Sequence, residues 1–128
     1  MLQIIMKKIL IIIFTIISFE AFGDEFKTNF TIDIFKKAQN NGKTVVVYSW
    51  NKYCTTCAKQ KPILKQAEKN FKDFLFLNFE QTKYKDIAKF LNIDYWSTIA
   101  VYKNNKEIVK AIGLDDKNAV YSLIKKGI

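Results

Sequence analysis

A strand that runs directly into two closely spaced cysteines constrains this chain more than any other feature. "TVVVYSW", Thr44 to Trp50, is β-branched and aromatic and apolar on both faces, as a strand buried in a sheet must be. "NKYCTTCAKQKP", Asn51 to Pro62, follows at once and holds both cysteines and the only proline. Helical spacing then begins, with Ile63, Leu64, Ala67 and Phe71 recurring on one face and lysines between them. A helix should open near Cys54 and run to about Phe71, with Pro62 removing one backbone donor and bending the axis. Any fold for this chain must therefore place a dithiol where a buried strand turns into a helix.

The remaining segments alternate in the same manner. "TIDIFKKAQNNGK" predicts a helix capped by Thr31, with Ile34, Phe35 and Ala38 on its inner face and a stop at Gly42. "FLFLNF", Phe74 to Phe79, is a second buried strand, and "YKDIAKFLN" is a short helix that Asn92 ends in a left-handed conformation. "TIAVYK" and "KEIVKAI" form a hairpin turned by Asn104 and Asn105. Gly113 ends the hairpin, and "DKNAVYSLIKK" closes the chain as a helix. The order α-β-α-β-α-β-β-α predicts an α/β fold, a three-layer sandwich with a central mixed sheet and helices on both faces. A length of 128 residues suits one domain, and 49% apolar residues exclude disorder.

The first 23 residues read differently. "MLQIIMKK" is a short basic start, and the apolar run Ile9 to Phe19 is shorter than the ~18–20 residues a membrane span needs. Ala21 and Gly23, small and two apart, form a cleavage site, so residues 1–23 are expected to be a signal peptide cut after Gly23. Residues 24–128 would be the mature domain, periplasmic or otherwise extracytoplasmic. An uncleaved anchor facing outward and a true start at Met6 are the alternatives. The expected membrane contact is through this segment alone.

The net charge of +9 does not indicate nucleic acid. All 21 basic residues are lysine, spread along the chain, with no arginine to fork a phosphate or a base edge. A solvated lysine surface is expected, with loose attraction to anionic lipid headgroups as the alternative.

Three chemistries can use a Cys-x-x-Cys pair. Structural zinc needs four ligands, and this chain has two cysteines and no histidine. A staple over so short a ring constrains the unfolded chain little. At a helix N-terminus, by contrast, unpaired N–H groups and the dipole favour a thiolate, and such cysteines titrate at roughly 3.5–7.5 instead of about 8.5. Cys54 is then the nucleophile and Cys57, one turn further in and less exposed, the resolver. Lys52 and Lys59 lower the thiol pKa further. Neither a metal nor any other cofactor is expected beyond the dithiol itself.

Trp50, "YCTTC", Pro62, the hairpin "TIAVYKNNKEI" and Gly113 together resemble the thioredoxin family, from about Phe30 to the C-terminus. The resemblance implies a thioredoxin-like fold and thiol–disulfide exchange with protein substrates and a redox partner. It also implies a substrate-facing set of Trp50, Tyr53, Trp96, Ser97 and Thr98 beside Cys54 and Cys57. Three positions depart from the family pattern. Ser97 stands where the family has a cis-proline, and a cis bond there would cost about 2.5–4 kcal/mol, so Trp96–Ser97 is expected to be trans. Tyr48 replaces the family's buried acid, and Phe76 its lysine partner. Deprotonation of Cys57 must then rely on water or a bound partner. Thr55 and Thr56 between the cysteines suggest an intermediate potential. The rival reading is a binding module on an abandoned redox scaffold, with Trp50, Tyr53, Tyr95 and Trp96 as an aromatic contact surface.

Overall fold

The structure, a computed structural model, describes residues 26–128. The expected signal segment 1–23 and its cleavage site lie outside the described residues.

Eight elements follow in the expected order: α1 (Ile32–Asn40), β1 (Val45–Trp50), α2 (Thr55–Asn70), β2 (Leu75–Glu80), α3 (Lys85–Leu91), β3 (Thr98–Lys103), β4 (Lys106–Ile112) and α4 (Lys117–Lys125). The sheet order is β2-β1-β3-β4. β1 and β2 are parallel, joined through α2 because parallel neighbours need a crossover. β1–β3 and β3–β4 are antiparallel. Alternation along β1 then assigns the layers. Val45 and Val47 pack with Phe35 of α1 and Ile87 and Leu91 of α3. Val46 and Tyr48 face the other way, onto Leu64 and Ala67 of α2 and Val120 and Ile124 of α4. Each buried valine, leucine and isoleucine among them contributes roughly 1.5–3 kcal/mol. The three-layer α/β sandwich and the thioredoxin-like fold class are therefore what the chain adopts.

Local chemistry sets the ends of the elements. Thr31 caps α1, its Oγ1 accepting the Ile34 N–H at 3.1 Å. Asn92 ends α3 at φ 53°, and Asn104 and Asn105 take φ 53° and 64° in the hairpin turn, values that asparagine tolerates better than most residues. α2 continues through Pro62, whose missing N–H leaves the Ala58 carbonyl without its usual donor. One expected core position differs: Ile34 is exposed, and Gln39 is buried in its place on the inner face of α1. Gln39 is satisfied there, donating to the Lys43 carbonyl (2.9 Å) and accepting the Asn105 N–H (2.9 Å).

Both sheet edges are protected. Along β2, the N–H groups of Asn29 and Phe30 donate to the Asn78 carbonyl, and Thr28 Oγ1 accepts the Glu80 N–H. β4 carries Lys106, Glu107 and Lys110, and Ile108 is the extra residue of a bulge, since Tyr102 pairs with Glu107 and Val101 with Val109. Charges and bulges discourage pairing with a further strand. The open end of the sandwich is the C-terminal end of β1 and β2, where the cysteines lie.

Candidate active site

β1 ends at Trp50, and the four-residue link to α2 is tied from both sides. Asn51, buried, accepts the Tyr53 N–H on its side-chain oxygen (2.9 Å), and its carbonyl accepts the Cys54 N–H (3.1 Å). Its amide nitrogen donates to Glu80 Oε1 (2.8 Å) and lies 3.1 Å from Thr82 Oγ1. Burial alone would raise the Glu80 pKa. Hydrogen bonds from the Thr82 hydroxyl and N–H, the Asn51 amide and the Lys83 backbone outweigh it and hold the carboxyl below its usual range. The redox turn is thus fastened to the end of β2 through an ionised carboxylate.

Cys54 is the N-cap of α2, with extended φ and ψ of −88° and 108°. Cys54 and Cys57 are joined by a disulfide, with Cα atoms 5.2 Å apart. The Cys57 N–H donates to Cys54 Sγ at 3.0 Å. In the oxidised protein that sulfur is neutral, and after reduction it marks the position of a thiolate facing the helix N-terminus. The expected difference in exposure is small: Cys54 is 7% exposed and Cys57 4%. Any functional asymmetry between them therefore comes from position at the helix terminus and not from burial.

Both cysteines line a groove of about 640 Å³ with Phe26, Trp50, Tyr53 and Lys61. Nothing in the sequence marks Phe26 as a site residue, since it lies 28 positions before Cys54 with no motif around it. Its ring packs against Tyr48 and Trp50, with centroids 5.1 and 5.8 Å away. Trp50 is held by a hydrogen bond from Nε1 to Asn78 Oδ1 (2.8 Å). Tyr53 projects from the rim, 77% exposed.

The other three residues of the expected substrate-facing set do not line this groove. Trp96 is exposed, whereas Ser97 and Thr98 are buried. The Trp96–Ser97 bond is trans, as are the other described peptide bonds, and Ser97 has φ 56°. The Ser97 N–H donates to the Ser49 carbonyl (2.9 Å), and its own carbonyl accepts from the Gly113 N–H (3.0 Å) and from Gln60 Nε2 (3.1 Å). Strand addition by a substrate at Ser97 is thus blocked, because both backbone groups are already used. Thr98 is equally committed, its hydroxyl donating to the Tyr95 carbonyl (2.7 Å) and its N–H to Ser49 Oγ (3.3 Å). Gln60, one turn beyond Cys57 and almost fully buried, also donates to the Leu114 carbonyl (2.8 Å). It ties the cysteine helix to the Ser97 loop.

Tyr48 is buried beneath the site, and burial, with the Glu68 charge adding to it, pushes its phenol well above 10. It stays protonated at neutral pH and cannot take a proton from Cys57. Phe76 lies in the same apolar cluster, so the replaced acid–lysine pair has become part of the core.

Comparison with known proteins agrees with this geometry. The thioredoxin family model matches residues 25–126. A thioredoxin of Mycoplasma genitalium is 32% identical over 81 residues, covering 63% of this chain and 79% of the relative. Among solved structures, Trxlp from Edwardsiella tarda superposes with a TM-score of 0.71 at 21% identity, covering 74% of this chain and 94% of that one. Schistosoma mansoni thioredoxin superposes with a TM-score of 0.66 at 26% identity, covering 76% and 89%. The chain belongs to the thioredoxin family, and its Cys54–Cys57 pair is the dithiol of a thioredoxin-like disulfide oxidoreductase.

Proposed function

We propose that the protein is an extracytoplasmic thiol–disulfide oxidoreductase in which Cys54 attacks and Cys57 resolves. The observation that carries the assignment of roles is the 3.0 Å hydrogen bond from the Cys57 N–H to Cys54 Sγ at the start of α2. A thiolate at Cys54 gains from that donor and from the helix terminus, so Cys54 is the better nucleophile and leaving group. In the reducing direction, the Cys54 thiolate attacks a substrate disulfide and forms a mixed disulfide, and one substrate sulfur leaves as a thiolate. Cys57, once deprotonated, attacks Cys54 Sγ, closes the intramolecular disulfide and releases the second substrate thiolate. Two electrons pass from the dithiol to the substrate, and the reverse sequence oxidises a substrate dithiol.

Tyr48 supplies no base, so the Cys57 proton leaves through water in the groove or through the bound partner. Protein thiols and disulfides are the substrates on this reading. Location outside the cytoplasm is supported by the basic start, the short apolar run and the Ala21–Gly23 site.

Two measurements test the proposal. Equilibration of the Cys54–Cys57 couple with glutathione should give a defined two-electron potential. A pair inert to glutathione and to alkylation would instead favour a binding module on the same fold. N-terminal sequencing of the protein from fractionated cells should begin at or near Asp24 outside the cytoplasmic membrane. An intact start in the cytosol would overturn the location, and an intact start in the membrane fraction would identify an anchor.

A further inference from the structure

The groove beside the disulfide has an asymmetric charge. Lys52, Lys61 and Lys83 line it, and among the described residues the one carboxylate that lines it is Glu80. Each lysine ammonium sits over an aromatic ring: Lys52 over Tyr53 at 5.0 Å, Lys61 over Phe26 at 4.8 Å and Lys83 over Tyr84 at 5.5 Å. A ring holds a cation in place without neutralising it. None of the three forms an ion pair with a described residue.

Three described acids at this end of the molecule, Glu80, Asp115 and Asp116, are already engaged. Glu80 accepts hydrogen bonds from Asn51 and Thr82. Asp115 pairs with Lys59 at 3.6 Å, and Asp116 caps α4 through the Ala119 N–H. The start of α2 adds its positive end to the same groove. Phe26, Trp50 and Tyr53 add aromatic surface to the same groove as the cations and the sulfurs.

We propose that this groove selects substrates by charge, seating a polypeptide segment that has carboxylates flanking its cysteine, with an apolar or aromatic residue beside them. The occupant must carry a thiol or disulfide because Cys54 and Cys57 form part of the wall. It must be acidic because, among the described residues, the groove offers three cations without an ion pair against one carboxylate already holding its own donors. The proposal rests on the dithiol function above. The exchange itself is unchanged: the peptide cysteine enters the mixed disulfide with Cys54, and Cys57 releases it as a thiol, the protein's own dithiol supplying both electrons.

The test uses dithiothreitol-reduced protein, freed of reductant, in single turnovers with two symmetric peptide disulfides. One peptide carries aspartates and a phenylalanine around its cysteine, and the other carries lysines in place of the aspartates. Neutral bis(2-hydroxyethyl) disulfide reports on the dithiol alone. The acidic peptide should react about tenfold faster at low ionic strength, the advantage falling to about twofold at ~0.5 M salt. Lys61→Glu combined with Lys83→Glu should abolish or invert the ratio. Lys106→Glu with Lys126→Glu, at the far end of the sheet, should preserve it while making the same change in net charge.

Equal rates for the two peptides would overturn the proposal and leave the dithiol function standing. A preference that both double variants change equally would assign it to net charge and also overturn the proposal. Failure of the neutral disulfide and both peptides to react would overturn the dithiol function, and the charge proposal with it.

Discussion

Ser97 donates its backbone N–H to the carbonyl of Ser49, 2.9 Å away, and holds φ at 56° while doing so. The contact joins the loop before β3 to the end of β1, directly beneath the redox turn. A left-handed serine is costly, at roughly 1–2 kcal/mol. The position therefore persists because the hydrogen bonds around it fix the loop.

Proline at this position should be damaging. Its ring locks φ near −65° and removes the donor to Ser49. Ser97→Pro should destabilise the fold by about 3 kcal/mol or more and slow disulfide exchange, read from urea unfolding and from single-turnover rates. Ser97→Gly should be neutral or stabilising by up to ~1 kcal/mol, since glycine has no Cβ to clash at positive φ, a steric gain partly offset by its larger loss of backbone entropy on folding. A stable, fully active Ser97→Pro protein would show that the loop has a second accessible conformation.

Cys54 and Cys57 should differ in reactivity although they are nearly equally buried. In the reduced protein, Cys54 should be alkylated faster, and Cys57→Ser should accumulate mixed disulfides that non-reducing gels detect. Cys54→Ser should accumulate few. The donor on Cys54 Sγ and the helix terminus are the physical source of the difference. Trapping by Cys54→Ser instead would reverse the two roles.

Gln60 is the polar anchor between α2 and the Ser97 loop. Gln60→Leu keeps the volume but removes the donor to the part-buried Leu114 carbonyl and one of the two donors to the buried Ser97 carbonyl. The expected loss is about 1–3 kcal/mol in urea unfolding. Disulfide exchange should slow as well, because the cysteine helix and the loop lose their common anchor.

Much of this arrangement is legible in the sequence because it is local. Period and punctuation identify the eight elements. Asparagine at positions 92, 104 and 105 marks the left-handed turns, and Cys54 falls at a cap because a strand ends four residues earlier. What the sequence conceals is set by contacts between distant segments. Asn51 meets Glu80 across 29 positions, and Gln60 meets Leu114 across 54, with no periodic signal for either. Ile34 illustrates the same limit. Its spacing fits the inner face of α1, but the hairpin turn places Asn105 where a buried Gln39 can bind it, and Ile34 is left outside. Ser97 was visible as a departure from the family, whereas its φ and its occupied backbone groups were not.

Glu80 gives the pH dependence of the redox turn a definite sign. Its carboxyl titrates below its ordinary value of 4.5 in the folded protein, because the Asn51 and Thr82 hydrogen bonds favour the ionised form more than burial opposes it. A group with a depressed folded pKa contributes stability above its unfolded pKa and loses it as pH falls through the folded one. The contribution should therefore be complete at neutral pH and decline from about pH 4.5 downward. Glu80 is close to solvent, so the effect is modest. A difference measurement isolates it. Urea unfolding of the native protein and of Glu80→Gln, compared between about pH 6 and pH 3, should show native stability falling more steeply. The ratio of exchange rates, native to Glu80→Gln, should follow the same curve. Loss of thiolate slows both proteins alike, while only the native one loses the hold of Glu80 on Asn51, whose carbonyl fixes the Cys54 N–H. Parallel pH profiles for the two proteins would show that the carboxylate charge does not hold the turn.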